Sequence, residues 1–203
     1  ISKYHVGAVG IGSSGRIFFG ANLEFPGLPL NHSVHAEQFL ITNLSLNAEP
    51  RLKYIAVSAA PCGHCRQFFQ ELRGAPDVKM LITSSDDEKE NKISNTCNDK
   101  DQEFTPLSHF LPHSGCPSGV ALIDVEGKIY KGSYMESAAY NPSLPPVQAA
   151  IVAYVASGGG GGYERIVRAV LVEKSDAVIK QEHTARLLLQ CISPKCEVKV
   201  FSV

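Results

Sequence analysis

An α/β fold built on a mixed β-sheet, occurring twice along the chain, is predicted by three observations. The opening 83 residues alternate short apolar runs with helix-forming stretches, the second half repeats the opening hairpin, and a polar, proline-bearing stretch separates the two. Val6 to Ile11 is apolar and glycine-spaced, Gly12-Ser13-Ser14-Gly15 marks a turn, and Arg16 to Phe19 resumes an apolar run, so two strands form a hairpin. Past Pro26, Gly27 and Pro29, Ala36 to Leu46 lacks Gly and Pro and carries good helix formers, which starts a helix at about His35. Tyr54 to Val57 reads as a buried strand, Pro61 to Leu72 as a helix with proline near its first turn, and Val78 to Ile82 as another strand. The order is ββαβαβ.

Residues 84–117 read as a linker from their charged and turn-forming composition. Gly119 to Ile123, a Glu126-Gly127 turn and Lys128 to Gly132 then mirror the first hairpin through Gly20. In that register Tyr134-Met135-Glu136 lies opposite Asn22-Leu23-Glu24, and Pro145-Pro146-Val147-Gln148 opposite His35-Ala36-Glu37-Gln38. Strands are expected at Ile166 to Val172 and Val198 to Val203, a helix near His183 to Leu189, and a surface loop at Gly158 to Gly162. The division is residues 1–83, a linker 84–117 and a degenerate copy 118–203.

Composition narrows the functional classes. With 203 residues, 44% hydrophobic and 19% charged, the chain can bury a sizeable core. A formal net charge of −1, from 19 basic and 20 acidic residues without a basic block, disfavours a nucleic-acid partner. No run of about 18 apolar residues predicts a membrane span, and residues 1–15 lack the order of a secretory signal, so a cytoplasmic location is expected. The chain starts at Ile1 without methionine, which leaves room for a processed N-terminus. Six cysteines are too few for a disulfide scaffold. Cys97, Cys116, Cys191 and Cys196 read as ordinary thiols, whereas Cys62 and Cys65 form a Cys-x-x-Cys pair suited to metal or redox chemistry.

The chemistry concentrates in His35-Ala36-Glu37 and Pro61-Cys62-Gly63-His64-Cys65, each at the start of a predicted helix. One nitrogen and two sulfur ligands suit tetrahedral zinc and leave the fourth position for water, as catalytic sites require. Helix N-termini favour thiolates. Glu37, two residues beyond the ligand His35, can face the same cavity without binding the metal and can move a proton between water and substrate. A Cys-x-x-Cys alone would fit a structural half-site or a redox pair equally well, and it is the pairing with His-Ala-Glu that favours catalysis. His64 is an alternative fourth ligand that would close the open position.

These residues make the chain resemble the dimeric two-domain cytidine deaminases of the bacterial and plant type. The resemblance spans Val6-Gly7-Ala8-Val9, Phe19 to Phe25, His35-Ala36-Glu37-Gln38, Pro61 to Phe68, Tyr140-Asn141-Pro142 and Leu144-Pro145-Pro146. It implies a three-layer fold with helices on both sides of a mixed sheet, one active copy followed by one inactive copy, and a homodimer in which the second copy serves packing. It also implies Zn2+ held by His35, Cys62 and Cys65, with Glu37 as the proton shuttle. Asn22 and Glu24 would bind the ribose hydroxyls, the Ala36 amide and the Ala60 carbonyl the pyrimidine edge, and Tyr4 would line the base pocket. Family members carry a helix before the first strand, a longer crossover before Gly119 and a phenylalanine-bearing segment followed by Gly-Pro. None of the three occurs in these residues.

The expected activity is hydrolytic deamination of cytidine and 2′-deoxycytidine, a hydrolase reaction on a cyclic amidine in pyrimidine salvage. Two rivals stand beside it: a polynucleotide cytosine or adenine deaminase, which would want a positive groove, and an inert zinc domain, in which Glu37 would have no duty.

Overall fold

A computed structural model describes residues 1–83, 93–95, 114–159 and 161–203. Most of the expected linker 84–117 lies outside them, as do Cys97 and Gly160 of the glycine loop. The first half contains strands β1 (Gly7–Gly12), β2 (Ile17–Ala21), β3 (Leu52–Val57) and β4 (Lys79–Ile82), with helices α1 (Ala36–Leu46) and α2 (Gly63–Gln70). A further short strand, β5 (Ile93–Asn95), falls within the stretch read as linker and pairs antiparallel with β4. The second half contains β6 (Ser118–Asp124), β7 (Ile129–Ser133), α3 (Pro146–Ala156), β8 (Ile166–Glu173), α4 (Glu182–Ile192) and β9 (Glu197–Ser202).

Sheet orders β2-β1-β3-β4-β5 and β7-β6-β8-β9 are the same plan twice. In both, the first strand runs antiparallel to its two neighbours and the last helix crossover returns a parallel strand. Even the irregularities repeat: a register shift at Ile11/Gly12 recurs at Ile123/Asp124, and the isolated bridge Leu23↔Val34 recurs as Met135↔Leu144. A shared bulge at matching positions is a stronger sign of duplication than strand count, since a bulge is a specific device for bending a strand.

Helix α2 is shorter at its start than expected. Cys62 is its N-cap, with φ −71° and ψ 173°, so Cys62 is still extended and the helix begins at Gly63. That extended entry brings the first cysteine up beside the start of α1, where its Sγ lies 3.4 Å from His35 Nδ1.

Helix α1 is buried almost all round, from Ala36 to Leu44, because it packs on β1 and β2 through one face and on α3 through another. Helix α3 is its counterpart and is equally buried. One continuous core therefore joins the halves, with Phe39, Leu40 and Ile41 and Val147, Ile151 and Val152 in the same cluster. The other face of β1 and β2 carries Val9, Ile11, Ile17 and Phe19, which are 39% to 65% exposed. Among the described residues no helix covers that side.

The helix-to-strand approach is set by two glycines at matching positions. A Cβ on Gly20 would lie 2.2 Å from the Ala36 carbonyl oxygen and 2.8 Å from the Leu40 nitrogen, and one on Gly132 would lie 2.1 Å from the Ala150 nitrogen. Both obstacles are backbone, so an added methyl group must push the helix away. Gly20→Ala is expected to destabilise the fold by about 3 kcal/mol, read as a lower urea midpoint. An unchanged midpoint would show that α1 can ride further from the sheet than its packing indicates.

Candidate active site

The site forms where two helix starts meet. His35 is the N-cap of α1, with extended φ/ψ of −75° and 153°, and Cys62 is the N-cap of α2, with Cys65 one turn further on. The sequence separates them by 27 residues, but β3 returns the chain antiparallel to β1 and brings both starts to the same end of the sheet. His35 Nδ1 lies 3.4 Å from Cys62 Sγ and 3.4 Å from Cys65 Sγ. Bonds of about 2.0–2.1 Å to nitrogen and about 2.3 Å to sulfur, at tetrahedral angles, place such atoms about 3.6 Å apart. The observed spacing is close to that, so these three side chains fit zinc. They are also the only group of three or more His, Cys, Asp or Glu side chains with metal-holding spacing among the described residues, and His64 is not part of it. His64 is exposed, its ring centroid 6.2 Å from that of His35.

Electrostatics favour a cation at this spot. Burial, opposed by the Glu37 charge and reinforced by His64, lowers the His35 pKa and keeps the ring neutral with a lone pair to give. The Cys65 thiol is buried and pushed far above its ordinary range by burial first, then by Glu37 and Cys62. A divalent cation among these three side chains would offset that burial and favour the deprotonated, ligating form of Cys65.

Two cavities flank the triad. One of about 320 Å³ is lined by Asn22, Glu24, Ala36, Glu37, Ala60 and Tyr4, together with His35 and Cys62 at its inner end. All the positions expected to act on substrate are thus on one hollow. Glu37 is 4% exposed and Ala36 is fully buried, whereas Ala60 and Tyr4 lie at the exposed rim. A larger cavity of about 600 Å³ lies on the other side of His35 and Cys62 and opens toward Asn141, Ser143 and Pro145 of the second half.

The polar residues of the smaller cavity are already engaged with the chain's first residues. Asn22 Oδ1 accepts from the Val6 amide at 3.0 Å and its Nδ2 donates to the Tyr4 carbonyl at 2.8 Å, so this amide fixes residues 4–6 along the wall. Glu24 accepts from the Ser2 amide at 2.7 Å and from the Ser2 hydroxyl. The Ser2 bonds hold its carboxyl well below the usual carboxylate range. Its carboxylate is therefore ionised at any neutral pH.

Some contributors have no signature in the sequence. Ser2, Val6, Leu30, Ser33 and Ala59 also line the smaller cavity, and only their place beside motif residues could have drawn attention to them. Gln38 stands within the His-Ala-Glu-Gln run, yet nothing in that spacing shows that its side chain reaches the second half. In that half the degeneracy is plain: Pro145 is the N-cap of α3 where His35 caps α1, and buried Val147 stands where Glu37 does.

Comparison with known proteins supplies the class. Residues 1–82 and residues 76–186 each match the cytidine and deoxycytidylate deaminase zinc-binding region. Cytidine deaminase 1 of Arabidopsis thaliana is 53% identical, covering 99% of this chain and 84% of its own length. Cytidine deaminase of Serratia proteamaculans (strain 568) is 36% identical over 95% of this chain and 74% of its own length. A third relative, 42% identical over 99% of this chain and 81% of its own length, bears the name "Probable inactive cytidine deaminase 4" in Arabidopsis thaliana. The chain belongs to the zinc-binding cytidine and deoxycytidylate deaminase family. The alignment with the first relative runs over 254 residues where this chain has 203, so at least 51 of its positions have no counterpart here. Since one member of the family is named as inactive, the site residues carry the argument for catalysis.

Proposed function

We propose that this chain hydrolyses cytidine and 2′-deoxycytidine to uridine and 2′-deoxyuridine with release of ammonia. The observation that carries the reading is Glu37: a carboxylate 4% exposed, adjoining the three metal ligands and facing the cavity that holds Asn22 and Glu24. A carboxylate buried beside a group of metal-holding side chains and lining a cavity is a candidate for proton transfer.

His35, Cys62 and Cys65 hold the zinc, which when bound acts as a Lewis acid that makes water nucleophilic at neutral pH. Glu37 would take one proton from the attacking water and give it to the ring nitrogen next to the reacting carbon, and would then carry the second proton, from the hydroxyl added to that carbon, to the amine as the carbon–nitrogen bond breaks and ammonia leaves. The Ala36 amide donates to the pyrimidine edge and the Ala60 carbonyl accepts from it, which orients the ring. Asn22 and Glu24 hold the ribose hydroxyls, and the ring of Tyr4 covers the open rim. A carboxylate such as Glu24 accepts from a sugar hydroxyl in the kind of charged hydrogen bond that penalises analogues lacking the group. Glu24→Ala is accordingly expected to lower kcat/KM for cytidine about ten- to a hundredfold, mostly through KM. A loss confined to kcat would remove Glu24 from ribose binding.

The decisive test mixes purified protein with cytidine, follows the ultraviolet absorbance and measures bound zinc. Conversion with about one zinc per chain supports the reading. Zinc without conversion points to an inert zinc domain or, if single-stranded polynucleotides are deaminated instead, to the second rival; no zinc removes the site. The near-neutral charge and the ribose-type pair favour free nucleosides over polynucleotides. Within this reading residues 1–83 are the catalytic domain, 84–117 the linker and 118–203 a packing domain. The protein acts as a homodimer in cytosolic pyrimidine salvage, and no helix among the described residues is long and apolar enough to cross a membrane.

A further inference from the structure

Both helices that carry the metal ligands are tied to one loop of the second half. On α1, Gln38 uses both ends of its amide: Oε1 accepts from the His35 amide at 3.2 Å, and Nε2 donates to the Pro142 carbonyl at 2.8 Å in a buried setting. One turn later the buried Thr42 hydroxyl donates to Met135 Sδ at 3.5 Å. On α2, the C-cap Glu71 accepts through Oε1 from the Ser137 hydroxyl at 2.9 Å and from the Ala138 amide at 2.8 Å.

The loop concerned, residues 136–143, is closed by the Met135↔Leu144 bridge and pinned within itself. Ser143 Oγ accepts from the Ser137 amide at 2.9 Å, the Tyr140 amide donates to the Ser137 carbonyl at 2.8 Å, and Tyr140 sits at φ 58°. Its counterpart in the first half, residues 24–33 inside the Leu23↔Val34 bridge, walls the substrate cavity with Glu24, Leu30 and Ser33. The duplicated loop therefore faces substrate in one copy and grips the metal-bearing helices in the other. Nor does the repeat make the grip mutual. Gln148, the counterpart of Gln38, is 2% exposed, and its Oε1 has no hydrogen-bond partner among the described residues.

We propose that loop 136–143 is a positioning element for the metal site, acting through Gln38 and Glu71 as positioning residues. The physical reason is tolerance. Zinc ligands must hold their distances to within about 0.2 Å, while an eight-residue helix is a rod about 12 Å long, so a small tilt at Glu71 moves Cys62 and Cys65 by more than that. Gln38 fixes the backbone of the residue whose ring is the third ligand. The proposal rests on His35, Cys62 and Cys65 being the ligands, and it assigns the second half a part in the chemistry of the first.

The test measures zinc affinity of the full chain by competition with a chromophoric chelator, alongside kcat and KM for cytidine. Gln38→Met, which keeps the length of the side chain but neither bond, and Glu71→Ala are each expected to weaken zinc ten- to a hundredfold, with KM at saturating zinc within about twofold of the parent. Glu71→Gln retains the accepting oxygen and should restore near-parent affinity. Glu49→Ala is the control for general loosening: Glu49 is 1% exposed and accepts from Ser13, Ser14 and Arg16 just beyond the far end of α1, so its loss should lower Tm and leave zinc affinity alone. Unchanged affinity in both Gln38→Met and Glu71→Ala would overturn the proposal. So would an equal loss in Glu71→Gln, or an equal loss in Glu49→Ala at matched Tm. A parent that binds zinc but leaves cytidine unchanged would sink the proposed activity, and the affinity measurements would still decide the positioning role.

Discussion

Glu37→Gln is expected to keep about one zinc per chain and to deaminate cytidine about 10²- to 10⁴-fold more slowly, the range that a positioned general acid–base group contributes. The substitution is nearly isosteric in a position 4% exposed, so packing of α1 should not change. It removes the buried carboxylate that adjoins the three ligands and lines the smaller cavity, the group proposed to accept a proton from water and return it to the ring. The three ligands remain, so zinc retention should be close to the parent's. Metal content and the absorbance assay on the same sample separate the two effects. If the variant turns over cytidine within about tenfold of the parent, the proton is moved by another group and Glu37 is misassigned.

Cys65→Ala is expected to abolish both metal and activity. Cys65 is fully buried, and its sulfur is one of only three atoms in the described residues spaced to hold the ion. For a structural site zinc binding is worth about 10–16 kcal/mol; one ligand's share is about 3 kcal/mol or more, at least a hundredfold in affinity. The same loss should follow treatment of the parent with a strong chelator and be reversed by added zinc, whereas the variant should not recover. Cys191→Ala, in a half-buried cysteine of α4 away from the triad, serves as the matched control and should keep its zinc. Full metal content in Cys65→Ala would show that the site is built from other residues.

These two residues were readable without coordinates because the chemistry constrains both type and spacing. A nitrogen ligand followed two positions later by a carboxylate, and two sulfurs three positions apart at a helix start, leave few alternatives once they occur together. The doubling was readable for a similar reason. Gly20 and Gly132 sit at the same place in two hairpins because a helix start leaves no room for a Cβ there, and such a requirement survives after His35 and Glu37 have been replaced by Pro145 and Val147. Asn22 was named through the family resemblance, but the bonds that its amide makes to Tyr4 and Val6 are long-range and invisible to any local pattern.

What the sequence determined by itself was the set of local, short-range relations: most of the strands and helices, where α1 begins, which side chains have the donor atoms for zinc, and that the plan occurs twice, whereas the start of α2 and strand β5 escaped it. What only the tertiary structure decided was which distant surfaces meet. That α1 is enclosed by its own sheet and by α3, that Glu71 reaches Ser137 across 66 positions and Gln38 reaches Pro142 across 104, and that β1 and β2 leave Phe19 and Ile17 exposed all depend on how two amphipathic layers bury their apolar faces against each other. Burial of that kind is non-directional and collective, summed over many contacts. No single residue or spacing encodes it.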